Sequence, residues 1–159
     1  MMSRPDVKWI PASSKNQNDY RELAIDSIVC HNTESSLQAA IARFQNPEEQ
    51  VSAHYIVARD GTCIQMVLED HTAWHAGDRA MNHRSIGIEH VADKNNLGMT
   101  QEQQQCSLNL IGYLVDKYKI QKSHIHTHRT VDTISGGTDC PKWIWPDEAS
   151  FEKFKETIA

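Results

Sequence analysis

The chain has no apolar run of the roughly 20 residues that a membrane-spanning helix needs, because charged or polar residues interrupt every hydrophobic stretch. Residues 1–20 also lack the apolar segment of a secretory signal, so the sequence predicts synthesis in the cytoplasm without a cleaved leader. Positive charge is not in excess, since the net charge is −5 and the basic residues form no cluster. The composition therefore argues against nucleic acid or an anionic membrane surface as a partner.

Closely spaced cysteine pairs are also absent. In a chain without a secretory leader, widely separated cysteines are typically free thiols or metal ligands rather than a disulfide framework. Histidine, in contrast, is abundant, with nine residues in 159. This combination raises the question of a metal site or of acid–base chemistry. The four cysteines are Cys30, Cys63, Cys106 and Cys140.

Strand and helix patterns that follow one another along the chain predict one α/β domain. A length of 159 residues suits a single domain with a substantial core. Asp60-Gly61 between two apolar runs is a hairpin signal, so the central sheet should be mixed and flanked by helices. Pro5 and Pro11 predict an irregular segment over residues 1–24, with the folded domain over 25–159. The predicted strands are 25–30, 54–58, 63–68, 85–91 and 124–128, and the predicted helices are 34–44, 100–118 and 147–158.

Three residues are candidate metal ligands. His128 and Cys140 flank a loop that contains Gly136-Gly137, and His31 follows an apolar strand. Two imidazoles and one thiolate with an open fourth position are a ligand set that catalytic zinc uses. A plainer interpretation exists for two of them: His31 would be a hydrogen-bonded core histidine, and Cys140 a free surface thiol.

Other histidines compete with this assignment. His124 and His126 alternate with His128 and would share one face of a strand, as three ligands in a row do in some metallohydrolases. A solvated face is the better interpretation of His124 and His126. His54, inside a predicted strand, is better explained as a hydrogen-bonded structural histidine.

Glu89 is anomalous because it lies in SIGIEH, on a strand that should be buried. Burying a lone carboxylate costs several kcal/mol unless a cation or a set of hydrogen bonds compensates. A salt bridge to Arg84 or Arg129 is one interpretation. The other is a general base that faces a metal-activated water.

Five segments in order resemble the zinc-dependent N-acetylmuramoyl-L-alanine amidases, the amidase-2 family, which is related to the peptidoglycan recognition proteins. The resemblance covers residues 25–141 and implies that 25–159 is the catalytic domain. It also implies that Zn²⁺ is held by His31, His128 and Cys140. The gap between HR and CP is longer than the family pattern, so the choice between His126 and His128 stays open. The segments are IVCHNTES, VSAHYIVARDGTCIQMV, AWHAG, SIGIEH and THR followed by TDCP.

Two positions relate the chain to a branch of that family. Some members place a catalytic tyrosine where this chain has Ala53, whereas members similar to the peptidoglycan-recycling amidases use a glutamate that matches Glu89 as the catalytic base. A lysine that often assists the oxyanion is replaced by Thr138, so the resemblance assigns this catalytic position to a hydroxyl. Arg129 or Lys142 could supply the missing positive charge.

The resemblance further implies substrate contacts by Asn32, Trp74 and His75, although core packing is an equal alternative for Trp74. It implies hydrolysis of the amide between N-acetylmuramic acid and L-alanine in peptidoglycan or muropeptides. A module of the same fold that binds muropeptides without cutting them is the alternative function.

The biological setting stays open in the sequence. A recycling enzyme in the cytoplasm, a phage endolysin released by a holin, and an effector exported by a dedicated secretion system all fit. The chain is expected to act as a monomer. An immunity protein or a polymerase as partner has no support in the sequence.

Overall fold

A mixed sheet forms the centre of the protein. The computed structural model describes residues 3–159. Within that range the strands are β1 (Val7–Trp9), β2 (Gln17–Asn18), β3 (Ser27–Asn32), β4 (Tyr55–Val57), β5 (Cys63–Gln65), β6 (Thr72–Ala73), β7 (Ser85–His90) and β8 (Ile125–Thr127). In the described residues, six of them form the central sheet in the order β1-β5-β4-β7-β3-β8, and β2 pairs with β6 separately.

Strand directions confirm that the sheet is mixed. The strand β3 runs parallel to both β7 and β8, and β7 runs parallel to β4. The hairpin predicted at Asp60-Gly61 joins β4 to β5 in antiparallel orientation. The positive φ of Gly61, 87°, suits the turn.

Helices flank the sheet, as predicted. They are α1 (Leu37–Gln45), α2 (Arg79–Arg84), α3 (Gln101–Tyr118), α4 (His128–Val131) and α5 (Glu148–Glu156). Thr100 and Gln103 form the predicted capping box at the start of α3, where each side chain bonds the other residue's backbone N–H. Within residues 3–159, none of the helices is both long and apolar enough to cross a bilayer.

Alternate side chains of β3 and β7 point to opposite faces of the sheet, and one of these faces packs on the apolar core. Cys30 and Ile88 belong to the large apolar cluster that also contains Leu110 of α3 and Phe151 of α5. Neighbouring residues in a strand point to opposite faces. His31 and Glu89 therefore project to the other face of the sheet.

The N-terminal segment differs from the prediction. Residues 1–24 were expected to be irregular on the basis of Pro5 and Pro11, yet β1 joins the central sheet beside β5, and β2 pairs with β6. Residues 1 and 2 lie outside the described part. Strands of two or three residues are too short to show an alternating pattern of apolar and polar residues. The elements β6, α2 and α4 were not predicted because they are also short.

Candidate functional site

Strand register brings together the first two site residues. His31 in β3 stands directly opposite Glu89 in β7. Nδ1 of His31 lies 3.9 Å from Oε1 of Glu89. The sequence had indicated that His31 follows the strand. In the structure β3 continues through Asn32, so His31 lies inside the strand. A strand position fixes the imidazole more firmly than a loop would.

His128 and Cys140 reach the same place from the C-terminal quarter of the chain. His128 is the first residue of α4, directly after β8, which pairs with β3. Cys140 is held by Asn32, whose backbone N–H lies 3.4 Å from the sulfur and whose side-chain amide lies 3.8 Å from it. One ligand atom each of His31, His128 and Cys140 lies within 4.8 Å of the others. Two nitrogens and one sulfur at this separation could hold a metal ion.

The geometry distinguishes the three histidines in and beside β8. The rings of His31 and His128 lie 4.7 Å apart. His126 instead stacks on His124 at 6.3 Å, and Nδ1 of His124 lies 3.1 Å from the carbonyl of Asp26. His128, rather than His126, is therefore the histidine that lies beside His31.

Glu89 is largely buried, and no arginine or lysine among the described residues forms an ion pair with it. Its side chain is 12% exposed, and its Oε2 has no hydrogen-bond partner among the residues described. Burial raises the pKa of this carboxyl to about 8. The predicted salt bridges are wrong, because Arg84 pairs with Asp26 at 2.8 Å and Arg129 pairs with Glu148 at 2.5 Å. The site therefore combines three metal-type donors with a carboxylate that has one unpartnered oxygen.

A cavity of about 220 Å³ opens above these groups. Burial lowers the pKa of the His31 imidazole, so that it is neutral and able to donate a lone pair. Burial also raises the pKa of the Cys140 thiol, whose proton must leave before the sulfur can bind a metal. Residues on the cavity wall include Asn32, Glu34, Arg43, Phe44, Trp74, His75 and Thr138.

Thr138 stands on the cavity wall with its hydroxyl proton available. Its Oγ1 accepts a hydrogen bond from the backbone N–H of Cys140 at 3.2 Å, so the hydroxyl can still donate. Arg129 and Lys142 were the sequence-based alternatives for the missing positive charge. Neither belongs to the described residues that line the cavity, and Lys142 pairs with Asp139 at 2.7 Å.

The residues predicted to contact substrate differ in their environments. Trp74 lines the cavity and donates its indole N–H to Asn18 at 2.8 Å. Asn32 is buried, and its side-chain oxygen accepts from the N–H of Trp143 at 2.9 Å. His75 also lines the cavity, and both of its ring nitrogens lie within hydrogen-bonding distance of other side chains. Their role in substrate binding stays a prediction.

Sequence reasoning missed Asp132. Its side chain is 2% exposed and lies 3.1 Å from Nε2 of His128, without the alignment of a hydrogen bond. The carboxylate accepts from the backbone N–H groups of Ile134 and Ser135 at 3.1 and 2.9 Å. Its position one helical turn after His128 was the available signal.

Gly77 makes room for Asp132. Its φ is +67°, and an added Cβ would lie 2.4 Å from Cγ of Asp132. We expect Gly77→Ala to lower the free energy of unfolding by about 2 kcal/mol, because it combines a left-handed backbone with displacement of a buried carboxylate. Gly98 has φ +65° and nothing within 4 Å of an added Cβ, so Gly98→Ala is the matched control, with an expected loss of about 1 kcal/mol. Urea unfolding of both variants measures the difference, and equal losses would contradict the steric argument.

Comparison with known proteins yields a family match. Residues 21–143 match the family model described as N-acetylmuramoyl-L-alanine amidase. Over 92 residues the chain is 44% identical to N-acetylmuramoyl-L-alanine amidase A of Achromobacter lyticus. That match covers 55% of this chain and 50% of the relative, so the chain spans about half the length of the curated protein it matches.

Solved structures share the fold. PlyL superposes with a TM-score of 0.79 at 20% identity, covering 97% of each chain. A mutant endolysin from Bacillus subtilis gives 0.76 at 24% identity over 100% of both chains. A selenomethionine derivative of AmpD gives 0.71 at 24% identity over 93% of both. At these identities the likeness shows the fold, and it confirms the α/β architecture with a mixed central sheet.

Proposed function

Because this chain belongs to the N-acetylmuramoyl-L-alanine amidase family, we propose that it hydrolyses the amide bond between N-acetylmuramic acid and L-alanine in peptidoglycan or its muropeptide fragments. One observation supports this proposal above others. Three metal-type donors from His31, His128 and Cys140 lie within 4.8 Å of one another, beside a largely buried carboxylate whose Oε2 has no hydrogen-bond partner among the described residues.

The proposed cofactor is Zn²⁺, held by His31, His128 and Cys140. Two neutral imidazoles and one thiolate suit zinc better than magnesium or calcium, which prefer oxygen ligands. When bound, zinc would polarise the scissile carbonyl and lower the pKa of an attacking water. The hydrogen bonds from Asn32 to the sulfur would favour the thiolate, since bonds to a charged form stabilise that form.

Glu89 is the proposed general base. Its Oε2 is free of protein hydrogen bonds, and its pKa of about 8 places it in a range suited to proton exchange near neutral pH. It would take a proton from the attacking water and pass it to the departing alanine nitrogen. This role is the one expected of the glutamate-using, recycling-type branch of the family, to which we assign the chain.

Thr138 is the proposed donor to the oxyanion that forms at the scissile carbonyl. We expect Thr138→Val to lower kcat about tenfold to a hundredfold, because one hydrogen bond to the developing charge is lost. Thr138→Ser keeps the hydroxyl and should retain most of the activity. Muropeptide cleavage kinetics test this pair, and a Thr138→Val variant as active as Thr138→Ser would exclude the role.

Substrate would enter the cavity between α1 and the Trp74 segment. Trp74 offers an aromatic surface on the cavity wall, and Asn32 and His75 line the same cavity. We propose contacts from Trp74 to the sugar or the stem peptide. We further propose that the protein acts as a monomer that is made in the cytoplasm and needs a holin or a secretion system if its substrate is the intact wall.

The function is tested on purified protein with zinc analysis and a muropeptide assay. The proposal expects about one zinc per chain, release of the stem peptide, loss of activity with a strong chelator and its return on adding Zn²⁺. Bound muropeptide without cleavage would support the alternative binding module instead. Parallel assays on intact sacculi and soluble muropeptides would distinguish an endolysin from a recycling enzyme.

A further inference from the structure

His75 lies behind the metal-type donors, in contact with His31. Its Nδ1 lies 2.9 Å from Nε2 of His31, and the two rings meet edge to face at 5.0 Å. Nδ1 of His31 faces the other way, toward Glu89 and the cavity. The two nitrogens of His31 therefore have different neighbours: a second imidazole on one side and the proposed metal position on the other.

A backbone carbonyl fixes the direction of the hydrogen bonds around His75. The hydroxyl of Ser85 lies 2.6 Å from the carbonyl oxygen of Met81, which can only accept, so Ser85 donates there. The oxygen of Ser85 is then an acceptor for Nε2–H of His75 at 3.3 Å. A neutral imidazole that is protonated on Nε2 has a lone pair on Nδ1. His75 therefore accepts from His31, whose proton must lie on Nε2.

The sheet leaves space for the ring of His75. Gly87 in β7 has no side chain at this point, and an added Cβ would lie 2.6 Å from two carbon atoms of the imidazole. Gly in a strand interior is unfavourable unless another group approaches closely. At Gly87 the group that approaches closely is the His75 ring. The glycine therefore supports a specific position for this ring rather than an incidental contact.

We propose that His75 is a positioning residue that keeps the His31 proton on Nε2 and thereby directs the Nδ1 lone pair toward the metal. This inference rests on the proposed zinc-dependent function. Hydrogen bonds of this kind fix the tautomer and ring orientation of a metal-binding histidine, and their loss typically weakens metal affinity about tenfold to a hundredfold. Here the hydrogen-bond partner of His31 is a second imidazole, that of His75, which is bonded through Ser85 to the main-chain carbonyl of Met81.

Two substitutions of nearly equal shape separate the hydrogen bond from packing. His75→Leu removes the acceptor, whereas the side-chain oxygen of His75→Asn can stand near the former Nδ1. We expect His75→Leu to raise the zinc dissociation constant about tenfold to a hundredfold and His75→Asn to raise it only severalfold. Competition with a chromophoric chelator measures both constants. His83→Leu is the control, because His83 is also buried and hydrogen-bonded but lies outside the cavity lining among the described residues.

Long-range ¹H–¹⁵N spectra of the zinc-loaded wild type test the tautomer directly. The expected result is a protonated Nε2 and a metal-bound Nδ1 on His31. A metal-bound Nε2, or a folded His75→Leu variant that binds zinc as tightly as wild type, overturns the inference. If wild type still binds zinc and cleaves muropeptides, the proposed function stands. Wild type that binds no zinc overturns both.

Discussion

Glu89→Gln should lower amide hydrolysis about a thousandfold, a loss in the range expected for a positioned general base. Glutamine keeps the size of the side chain but cannot accept the proton of the attacking water. Zinc affinity should change by only a fewfold, because the three donor atoms belong to other residues. Turnover and metal content measured on the same preparation test both expectations.

The same substitution should stabilise the metal-free protein. The pKa of Glu89 is raised to about 8 in the folded state, against 4.5 as its usual value. Between these two pH values the unfolded chain ionises while the folded one must keep its proton or bury a charge, so stability falls as pH rises. By linkage the penalty at pH 7 is about 3 kcal/mol, and Glu89→Gln should remove most of it.

Urea unfolding at pH 7 in the presence of a chelator measures this gain. Glu34→Gln is the control, since Glu34 lines the same cavity but is exposed, and it should change neither stability nor turnover greatly. A Glu89→Gln variant that is less stable than wild type would contradict the burial penalty, and one that retains turnover would remove Glu89 from the proposed mechanism.

His54 and His90 together should contribute a loss of stability of about 4 kcal/mol between pH 7 and pH 5. Burial lowers the pKa of His54 to about 3 and that of His90 to about 4, against an ordinary 6.5. As pH falls through 6.5 the unfolded chain binds protons that the folded chain cannot. Each histidine thus contributes stability that is fully present above pH 6.5 and is lost below it.

Burial is the main reason that these two rings stay neutral, and hydrogen bonds occupy their nitrogens. Nδ1 of His54 accepts from the N–H of Gly87 at 3.0 Å, and its Nε2 lies 3.0 Å from Arg21, whose charge further lowers the pKa. The nitrogens of His90 lie 3.0 Å from the carbonyl of His31 and 2.7 Å from the hydroxyl of Ser107. The sequence prediction that His54 is a hydrogen-bonded structural histidine agrees with these contacts.

Glu89 opposes this acid effect, because its burial penalty shrinks by about 2 kcal/mol over the same pH range. The acid loss should therefore be larger in the Glu89→Gln background, where His31 and His75, whose pKa values burial also lowers, add to it. His54→Asn keeps an acceptor for Gly87 but does not titrate, so adding it should reduce the loss by about 2 kcal/mol. Urea unfolding at pH 7, 6 and 5 with chelator gives these slopes, and a pH-independent stability in Glu89→Gln would refute the assignment.

Long and periodic features of the sequence predicted most of the fold. The helix at 100–118 and its capping box are confirmed, as are the hairpin at Asp60-Gly61 and the burial of Phe151 and Phe154 in α5. Each of these signals lies within a few neighbouring residues. Local patterns suffice where local energetics decide the structure.

The site was predictable only in part, because its supporting contacts are long-range. The anomaly of Glu89 on an apolar strand was visible, since burial of a carboxylate is unfavourable wherever it occurs. The contact between His31 and His75 joins residues 44 positions apart. The space at Gly87 likewise has meaning only once a distant ring lies on it. No pattern along the chain records such contacts.

The pairing of β1 with β5 has a consequence for how the protein can be shortened. Backbone bonds from Ile10 to Gln65 and from Ala12 to Met66, at 3.0 and 2.9 Å, extend this contact beyond the strand itself. A version that begins at residue 25 would leave the outer N–H and C=O groups of β5 open to strands of other molecules, a common route to aggregation. We therefore expect the smallest well-behaved folded unit to include the segment before residue 25.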